Sequence, residues 1–326
     1  MFETEDFLEK DWLVTGGTGS VGSLCVKYIL DYYEPKRVRV LTNNEYELWL
    51  FRDEMRGYPG NTDALRYLLK DITDYPAMCE AVRGVDFVIN CAAVKHVFFA
   101  EYNPITAKQV NIDGTLNLIM ASLNANVKRF VNISTDKACM PTTFMGMTKA
   151  VGERLVAWAS KYRPVEEQNV YTNVRFGNVF GSRGSVIERW YRDNPIEVSD
   201  PNMRRFFMLP HETTQLIFKA METARGGEIF VMKMPVIVIG LLAKVFEELY
   251  GKKIVYTEPI TYEKIDEYLL SEAESWHRKE DESFIIISND YPKADEPMEY
   301  STVNQRCLKY DEVKAMVRAY EGQSRL

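Results

Sequence analysis

The sequence of 326 residues predicts an α/β fold, a doubly wound parallel sheet with a smaller C-terminal lobe. Three observations predict it. Short apolar runs alternate with longer helical patterns, a glycine-rich turn joins the first run to the first helix, and glycine-punctuated loops begin after Phe176. Strands that alternate with helices form parallel sheets covered on both faces. We therefore expect ligands to bind at the carboxyl ends of these strands.

The predicted elements follow the chain in order. The strands are expected at 12–15, 37–41, 65–69, 86–90, 128–134 and 170–176, with helices at 20–33, 74–82, 103–125 and 144–163. Asn103 is a typical N-cap and Pro104 a typical first helical residue. Beyond Phe176, we expect a helix near 211–224, a strand at 228–234 that rejoins the sheet, a strand at 284–288 and a closing helix near 310–320.

Composition excludes several classes of protein. The net charge of −7 argues against nucleic acid or an anionic membrane as a partner. The five cysteines are scattered without a CxxC pair, which is typical of reduced thiols in a cytosol. The three histidines form no ligand-spaced cluster, so no metal site is expected.

Location follows from two further segments. The acidic start "MFETEDFLEKD" is unlike a signal peptide, and the apolar run that begins at Met234 is too short to span a bilayer. We therefore expect a cytoplasmic protein without a membrane span.

The stretch "VTGGTGSVG" places three glycines at three-residue spacing between the first strand and the first helix. Glycine permits a tight turn and lets the backbone approach a pyrophosphate at the helix N-terminus. The alternative is an ordinary glycine-rich turn, but the strand-before, helix-after context favours a Rossmann-type dinucleotide site. The expected cofactor-binding residues of this loop are Gly16, Thr18, Gly19, Ser20, Val21 and Gly22.

Cofactor choice depends on the end of the second strand, which reads "VLTNNE". An acidic residue there would bind the adenosine ribose of NAD, whereas Thr42 and Asn43 leave room for the phosphate of NADP. No arginine that would attract this phosphate is present at the tip either. We expect NADP, with NAD as the alternative. Asp71 and Ile72 are candidates to hold the adenine, or else they form a strand-end turn.

With these motifs in place, the chain resembles the extended short-chain dehydrogenase/reductase superfamily. Within it, the chain is similar to the UDP-N-acetylglucosamine 4,6-dehydratases of polysaccharide biosynthesis. The resemblance covers about residues 11–310 and is carried by "CAAVKHVFFAEYNP", "NIDGT", "STDKA", "MGMTKA", "RFGNVFGSRGSVI", "MRRFFM", "GGEIFVMKMP", "EKIDEYLLSEAE" and "EYSTVNQRCL". Two departures stand out: "EPITYEK" lacks the family's Arg-Gly, and Met145 replaces the usual tyrosine, as in a subgroup of these dehydratases.

A 4,6-dehydratase oxidises C4 of the sugar, removes water across C5 and C6, and reduces C6, so it needs a base and an acid near C5. The resemblance points to Asp136 and Lys137, at a strand end where both side chains are expected to reach the pocket. We expect a protonated Asp136 as the acid and a neutral, desolvated Lys137 as the base. The alternative is an ordinary surface pair. Sugar-nucleotide 4-epimerases usually carry small or hydroxyl side chains here.

Met145 and Lys149 are four residues apart and share one helix face. Methionine cannot accept a proton usefully at neutral pH, so Met145 is expected to line the sugar pocket while Lys149 grips the nicotinamide ribose. We expect Thr135 to position the C4 hydroxyl of the sugar, and Lys137 or Asp136 to be the eventual acceptor of its proton.

The remaining candidates come from the resemblance. Ala92, Ala93, Lys95 and Asn111 are expected near the cofactor. Lys95 could instead be a solvated loop residue, and Asn111 could order the active-site backbone or bond within its helix. Arginine suits bidentate recognition of phosphate. The candidates for the substrate are Lys95, Asn178, Arg183, Ser185, Val186 and Arg205. For Arg205, a surface charge run with Arg204 is the alternative.

These inferences predict a UDP-N-acetylglucosamine 4,6-dehydratase that uses NADP and acts on a UDP-sugar. A UDP-sugar epimerase and a non-catalytic NADP-binding regulator are the alternatives. We expect a dinucleotide-binding domain at 8–178, to which 211–234 returns, and a mainly substrate-binding lobe at 179–326. The resemblance also implies a homodimer or a larger homo-oligomer.

Overall fold

The computed structural model describes residues 4–162, 169–258 and 261–324. Residue 163 of the predicted helix 144–163, residues 259–260 of "EPITYEK" and parts of both predicted domains lie outside the described residues. The strands are β1 (Asp11–Thr15), β2 (Arg37–Thr42), β3 (Leu65–Leu69), β4 (Phe87–Asn90), β5 (Arg129–Ile133), β6 (Val170–Arg175), β7 (Asn178–Val179), β8 (Ile196–Val198), β9 (Arg204–Met208), β10 (Ile229–Met232), β11 (Val236–Val238), β12 (Ile254–Tyr256), β13 (Tyr268–Leu270), β14 (Arg278–Glu280), β15 (Phe284–Ile287) and β16 (Tyr300–Ser301).

The helices alternate with these strands in the first half of the chain. They are α1 (Ser20–Tyr32), α2 (Glu45–Met55), α3 (Tyr75–Ala81), α4 (Val97–Tyr102), α5 (Pro104–Lys108), α6 (Thr115–Asn124), α7 (Phe144–Tyr162), α8 (Val186–Arg192), α9 (Pro210–Thr223), α10 (Ile239–Tyr250), α11 (Glu272–Ser275) and α12 (Tyr310–Ser324). A π-helical turn, Gln109–Gly114, joins α5 to α6, and 3₁₀ turns occur at Thr4–Phe7, Thr62–Ala64 and Asp136–Ala138.

One nine-stranded sheet dominates the described chain, with the order β14-β15-β10-β6-β5-β4-β1-β2-β3. From β10 to β3 every neighbouring pair is parallel, and β14 and β15 add an antiparallel edge. The strand order reverses direction beside β1, which is the switch point where doubly wound sheets bind ligands. The predicted fold class is confirmed.

The apolar cores lie on both faces of this sheet. One includes the buried sides of α1 and α9, and the other includes those of α3, α6 and α7. A third core lies in the smaller lobe between α8, β8, α10 and α12. Because each face is covered, the central strands are apolar throughout rather than alternating.

The predicted strands are confirmed to within two residues at each end. The expected helix 103–125 is interrupted, because the π-helical turn separates α5 from α6. Pro104 begins α5 as predicted, but the Asn103 side chain donates to Phe99 O instead of capping that helix. The helix α2 was not predicted, since only Phe51 and Met55 of it are buried.

The division at residue 178 stays a prediction, yet the large sheet takes strands from well beyond it. Both β10 and the β14–β15 hairpin belong to the same sheet as β1. Among the described helices, none is both long and apolar enough to cross a lipid bilayer.

Candidate functional site

A cavity of about 1150 Å³ opens at the carboxyl ends of the parallel strands. Its wall includes residues that directly follow strands, such as Gly16 after β1 and Cys91 after β4. The smaller lobe closes the other side through α8 and β8. This volume is larger than most pockets for a single small ligand, so it suits a dinucleotide and a second nucleotide together.

Most residues predicted from the sequence meet in this cavity. The expected residues that line it are Gly16, Thr18, Gly19, Ser20, Val21, Gly22, Thr42, Asn43, Asp71, Ile72, Ala92, Ala93, Lys95, Thr135, Lys137, Met145, Lys149, Asn178, Arg183, Ser185, Val186 and Arg205. Asp136 and Asn111 are not among the lining residues, and both are buried behind the wall.

The glycine loop has the geometry of a phosphate cradle. Gly16 has φ +57°, and a Cβ on Gly22 would lie 2.3 Å from Gly16 O, so neither position accommodates a side chain. Gly19 is the N-cap of α1 and carries no side chain to cap the first N–H groups of that helix. These groups can therefore receive a pyrophosphate, and the loop fits a nicotinamide dinucleotide.

The tip of β2 lies beside the end of β3. Asn43 Nδ2 donates to Asp71 Oδ2 at 3.0 Å, and the Asn44 side chain caps α2. Lys70 N donates to Thr42 O at 3.0 Å, and Lys70 also lines the cavity. This cation follows β3 rather than β2, so the residues at the end of the second strand gave no signal for it; its Nζ donates to Glu80 Oε2 at 2.6 Å.

Thr135, Asp136 and Lys137 form a hydrogen-bonded cluster at the end of β5. Asp136 Oδ1 accepts from Thr135 Oγ1 at 2.8 Å and from Lys137 Nζ at 3.0 Å. Asp136 is fully buried, whereas Lys137 reaches the cavity. The expectation that both side chains reach the pocket is therefore wrong: the 3₁₀ turn points the carboxylate inward, where Oδ2 has no hydrogen-bond partner among the described residues.

Glu267, which sequence reasoning did not select, completes this cluster from the C-terminal lobe. Its buried carboxylate lies 3.5 Å from Lys137 Nζ and 3.6 Å from Lys264 Nζ. Burial opposes the charge of Lys137, but attraction to Asp136 and Glu267 outweighs it and raises its pKa. A raised pKa favours the charged form of Lys137, contrary to the expected neutral base. The only signal for Glu267 is its place in "EKIDEYLLSEAE".

Lys149 lies on α7, one turn after Met145, and both residues line the cavity. Its Nζ makes no hydrogen bond or ion pair with a described residue. Burial lowers the pKa of Lys149 to about 8, against the opposing attraction of Glu153. Met145 is buried against Ala100 and Ala107, as expected for a packing residue.

A buried ion-pair network lies beneath Lys149. Arg175 at the end of β6 donates to both carboxylate oxygens of Glu153, at 2.9 and 2.6 Å, and to both of Glu274, at 3.1 and 2.9 Å. Ser134 Oγ also donates to Glu153, at 2.6 Å. Burial works against ionisation of Glu274, but Arg175 holds its pKa at about 2. This network joins α7, the sheet and the C-terminal lobe.

Two tight contacts fix the wall of the site. Asn111, in the π-helical turn, accepts from Val94 N at 2.8 Å and donates to Val94 O at 3.0 Å and to Thr148 Oγ1 at 2.9 Å. Asn111 therefore orders the cavity backbone, one of the roles expected for it, but it does not line the cavity among the cofactor-binding residues. A Cβ on Gly146 would lie 2.2 Å from Lys137 O, so glycine lets α7 pack directly on the Asp136–Ala138 turn.

The two candidate phosphate-binding arginines are held differently. Arg205 is buried and donates to the carbonyls of Lys264 and Ile265 and to Glu263 Oε1. It anchors the segment that carries Glu267 rather than presenting a free guanidinium. Arg183 is half-exposed and contacts α1 and α2 on the opposite side of the cavity. In the described ranges, no cluster of three His, Cys, Asp or Glu side chains is arranged to hold a metal ion.

Residues 12–289 match the family described as polysaccharide biosynthesis protein. The chain belongs to this family. It is 33% identical over 300 residues to the UDP-N-acetylglucosamine 4,6-dehydratase (inverting) of Campylobacter jejuni, covering 90% of this chain and 87% of the relative. It is 34% identical over 254 residues to the UDP-glucose 4-epimerase of Rickettsia felis, covering 76% and 73%.

Solved structures give the same result. The X-ray structure of Pen from Bacillus thuringiensis superposes with a TM-score of 0.89 at 36% identity, over 96% of this chain and 98% of that chain. A dTDP-glucose 4,6-dehydratase from Streptomyces venezuelae with NAD bound has a TM-score of 0.69 at 20% identity, over 78% and 86%. The second likeness establishes the fold alone.

Proposed function

We propose that this protein is a UDP-N-acetylglucosamine 4,6-dehydratase. The observation that carries the proposal is the cluster at the end of β5, where Lys137 reaches the cavity between two buried carboxylates. A C4 epimerase has no use for acid–base groups directed at C5. The dehydratase relatives support an enzyme of the nucleotide-sugar dehydratase and epimerase kind, and the epimerase relatives make a UDP-sugar epimerase the second candidate.

The glycine loop would hold a nicotinamide cofactor, which when bound supplies the oxidation of C4 and the reduction of C6. We propose NADP, since β2 ends without an acidic side chain and Lys70 lines the cavity beside it, where a phosphate would compete with Glu80 for Nζ. NAD is the alternative. The lowered pKa of Lys149 suits a group placed next to a cationic nicotinamide ring, because a nearby positive charge disfavours an ammonium.

The proton of the C4 hydroxyl would pass to the cluster through Thr135. Thr135 Oγ1 donates to Asp136 Oδ1, which also accepts from Lys137 Nζ, so these three residues form a continuous path. Met145 occupies the usual phenol position and offers no acceptor of comparable basicity. The Thr135 hydroxyl at the cavity wall can therefore relay the proton of the C4 hydroxyl, which a tyrosine at position 145 would have accepted.

Lys137 would then act at C5 and C6. It becomes a base when it passes its own proton to Asp136 or Glu267, takes the C5 proton, and delivers a proton to the departing C6 hydroxyl. A final proton returns to C5 from the same cluster. Over one cycle the cluster receives the protons of the C4 hydroxyl and of C5 and returns as many, to water and to C5.

The UDP group would occupy the side of the cavity formed by β7 and the start of α8. Asn178, Ser185 and Val186 line it there, and Lys95 reaches it from the loop after β4. Cytoplasmic location and a homo-oligomeric state remain predictions.

The proposed function is tested by incubating the purified protein with UDP-N-acetylglucosamine and either NADP⁺ or NAD⁺. A product lighter by one water with a C4 ketone supports the dehydratase. A product of equal mass supports the epimerase, and an unchanged substrate together with tight cofactor binding supports the regulator. With deuterium at C4 of the substrate, the label is expected at C6. A 4-keto product without deuterium at C6 would contradict the return of the hydride, whereas deuterium found at C4 in a product of equal mass would support the epimerase.

The role of Thr135 has its own test. Thr135→Val should reduce turnover strongly because the proton path loses its first hydroxyl, whereas Thr62→Val, on the distant Thr62–Ala64 turn, should not. Equal rates for the two variants would eliminate Thr135 from the mechanism.

A further inference from the structure

The loop between β7 and α8 is attached to the cofactor side of the cavity, although sequence reasoning grouped it with UDP. Arg183 N donates to Ser20 Oγ at 2.9 Å, and Arg183 O accepts from Lys95 Nζ at 2.5 Å. Ser20 is the first residue of α1, at the helix end that attracts phosphate. The backbone of the loop therefore lies next to the expected pyrophosphate position.

The side chain of Arg183 points the same way. Its Nη1 lies 3.0 Å from Glu47 Oε2 on α2, and that oxygen also accepts from Thr18 Oγ1 in the glycine loop at 3.4 Å. The Arg183 side chain is 49% exposed and Glu47 37% exposed. Exposed ion pairs of this kind are weak, so a stronger anion can take the guanidinium from Glu47.

Two glycines restrict the backbone conformation of this loop. Gly181 and Gly184 on either side of Arg183 have φ +68° and +69°, and a Cβ on Gly184 would lie 2.6 Å from the His96 ring. Only glycine fits these positions, so the loop presents Arg183 in one place while its side chain remains free to change partner.

We propose that Arg183 binds the pyrophosphate of the nicotinamide dinucleotide rather than the diphosphate of UDP, and that Glu47 competes with this phosphate for its guanidinium. The inference rests on the proposed cofactor site. Arginine matches the two-oxygen face of a phosphate, and the N-terminus of α1 presents backbone N–H groups to the same anion. Cofactor binding would thus tighten a loop that also borders the UDP side.

The test uses the intact protein and calorimetric titration of wild type, Arg183→Gln and Arg192→Gln. Arg192 is an exposed arginine on α8 outside the cavity and serves as the matched control. The ligands are NADP⁺, NAD⁺, UDP and adenosine 2′,5′-bisphosphate, which lacks a pyrophosphate. Arg183→Gln should weaken dinucleotide binding by about 10- to 100-fold and leave UDP and the bisphosphate within about 3-fold.

Weakened UDP binding with unchanged dinucleotide binding would overturn the proposal, and so would no change for any ligand. If the wild type bound neither dinucleotide, the proposed cofactor site itself would fail, which is a separate result. Glu47→Gln should tighten dinucleotide binding by about 2- to 5-fold, because the phosphate no longer competes with a carboxylate. A weaker affinity in that variant would refute the role of Glu47.

Discussion

Two lysines of the cavity wall have pKa values shifted in opposite directions. Lys137 lies within 3.5 Å of two buried carboxylates, which raise its pKa. Lys149 has no ion-pair partner among the described residues, and burial lowers its pKa to about 8. Both side chains are largely buried, so burial does not by itself decide the direction in which the pKa of a lysine is shifted. The decisive factor is whether a carboxylate within reach is already neutralised.

Glu153 illustrates this point. It lies one turn after Lys149 on α7, yet its two oxygens are occupied by Arg175 and Ser134. Its remaining attraction to Lys149 is too weak to offset desolvation. Asp136, in contrast, has Lys137 as its only described cationic partner. A lysine beside a carboxylate therefore has a raised pKa at position 137 and a pKa lowered to about 8 at position 149.

The substitution Lys137→Met tests the role of the lysine with the raised pKa, because it approximately preserves the length of the side chain and removes its charge. Turnover should fall by about 10²–10⁴-fold, because proton transfer at C5 and C6 loses the group that reaches the substrate. The rate of water loss from UDP-N-acetylglucosamine measures it. Lys161→Met, at an exposed lysine of α7, is the control and should retain wild-type kcat. An active Lys137→Met enzyme would remove this lysine from the mechanism.

Arg175→Met should have the largest effect on stability. It leaves the buried carboxylates of Glu153 and Glu274 without a counter-charge, so the free energy of unfolding should fall by about 3–5 kcal/mol. Urea unfolding at pH 7 measures this loss. Arg56→Met breaks an exposed pair with Asp53 and should cost no more than about 0.5 kcal/mol. Similar losses in both variants would show that the buried network stabilises the protein no more than an exposed ion pair does.

The substitution Lys149→Met tests the lysine with the lowered pKa through the pH dependence of stability. The pKa of Lys149 is lowered from 10.5 to about 8 in the folded chain. Between these values the unfolded chain binds more protons, so this lysine makes stability rise with pH in that window, and its cost is complete below pH 8. The variant should lack this rise and be more stable at pH 7 by about 1–3 kcal/mol.

Urea titrations of both proteins from pH 7 to pH 10.5 give the required difference curve, in which other titrating groups cancel. A wild type that lost stability relative to Lys149→Met as the pH rose would mean that Lys149 is paired rather than desolvated.

Glu267→Gln should have the smallest effect. It removes one of the two charges that raise the pKa of Lys137, so that pKa falls and the alkaline limb of the kcat profile should move to lower pH. Glu282→Gln, at an exposed position, serves as the control. An unchanged profile would leave Asp136 as the only carboxylate that controls Lys137.

Local patterns account for what could be predicted. The glycine loop, the parallel strands and the run Thr135–Asp136–Lys137 lie within short segments, where residue spacing dictates geometry. Because carboxyl ends of parallel strands share one edge of the sheet, their residues could be brought to one cavity without knowledge of the packing.

The fold class, the glycine-rich turn and the candidate residues for proton transfer could all be predicted from the amino-acid sequence. Tertiary packing sets the directions of their pKa shifts: Glu267 and Glu274 approach from a segment more than a hundred residues beyond Lys137 and Lys149 along the chain. It also decided that Asp136 faces inward and that Arg183 reaches the cofactor side. Electrostatic effects depend on distance in space and on exclusion of water, and neither can be read from positions along a chain.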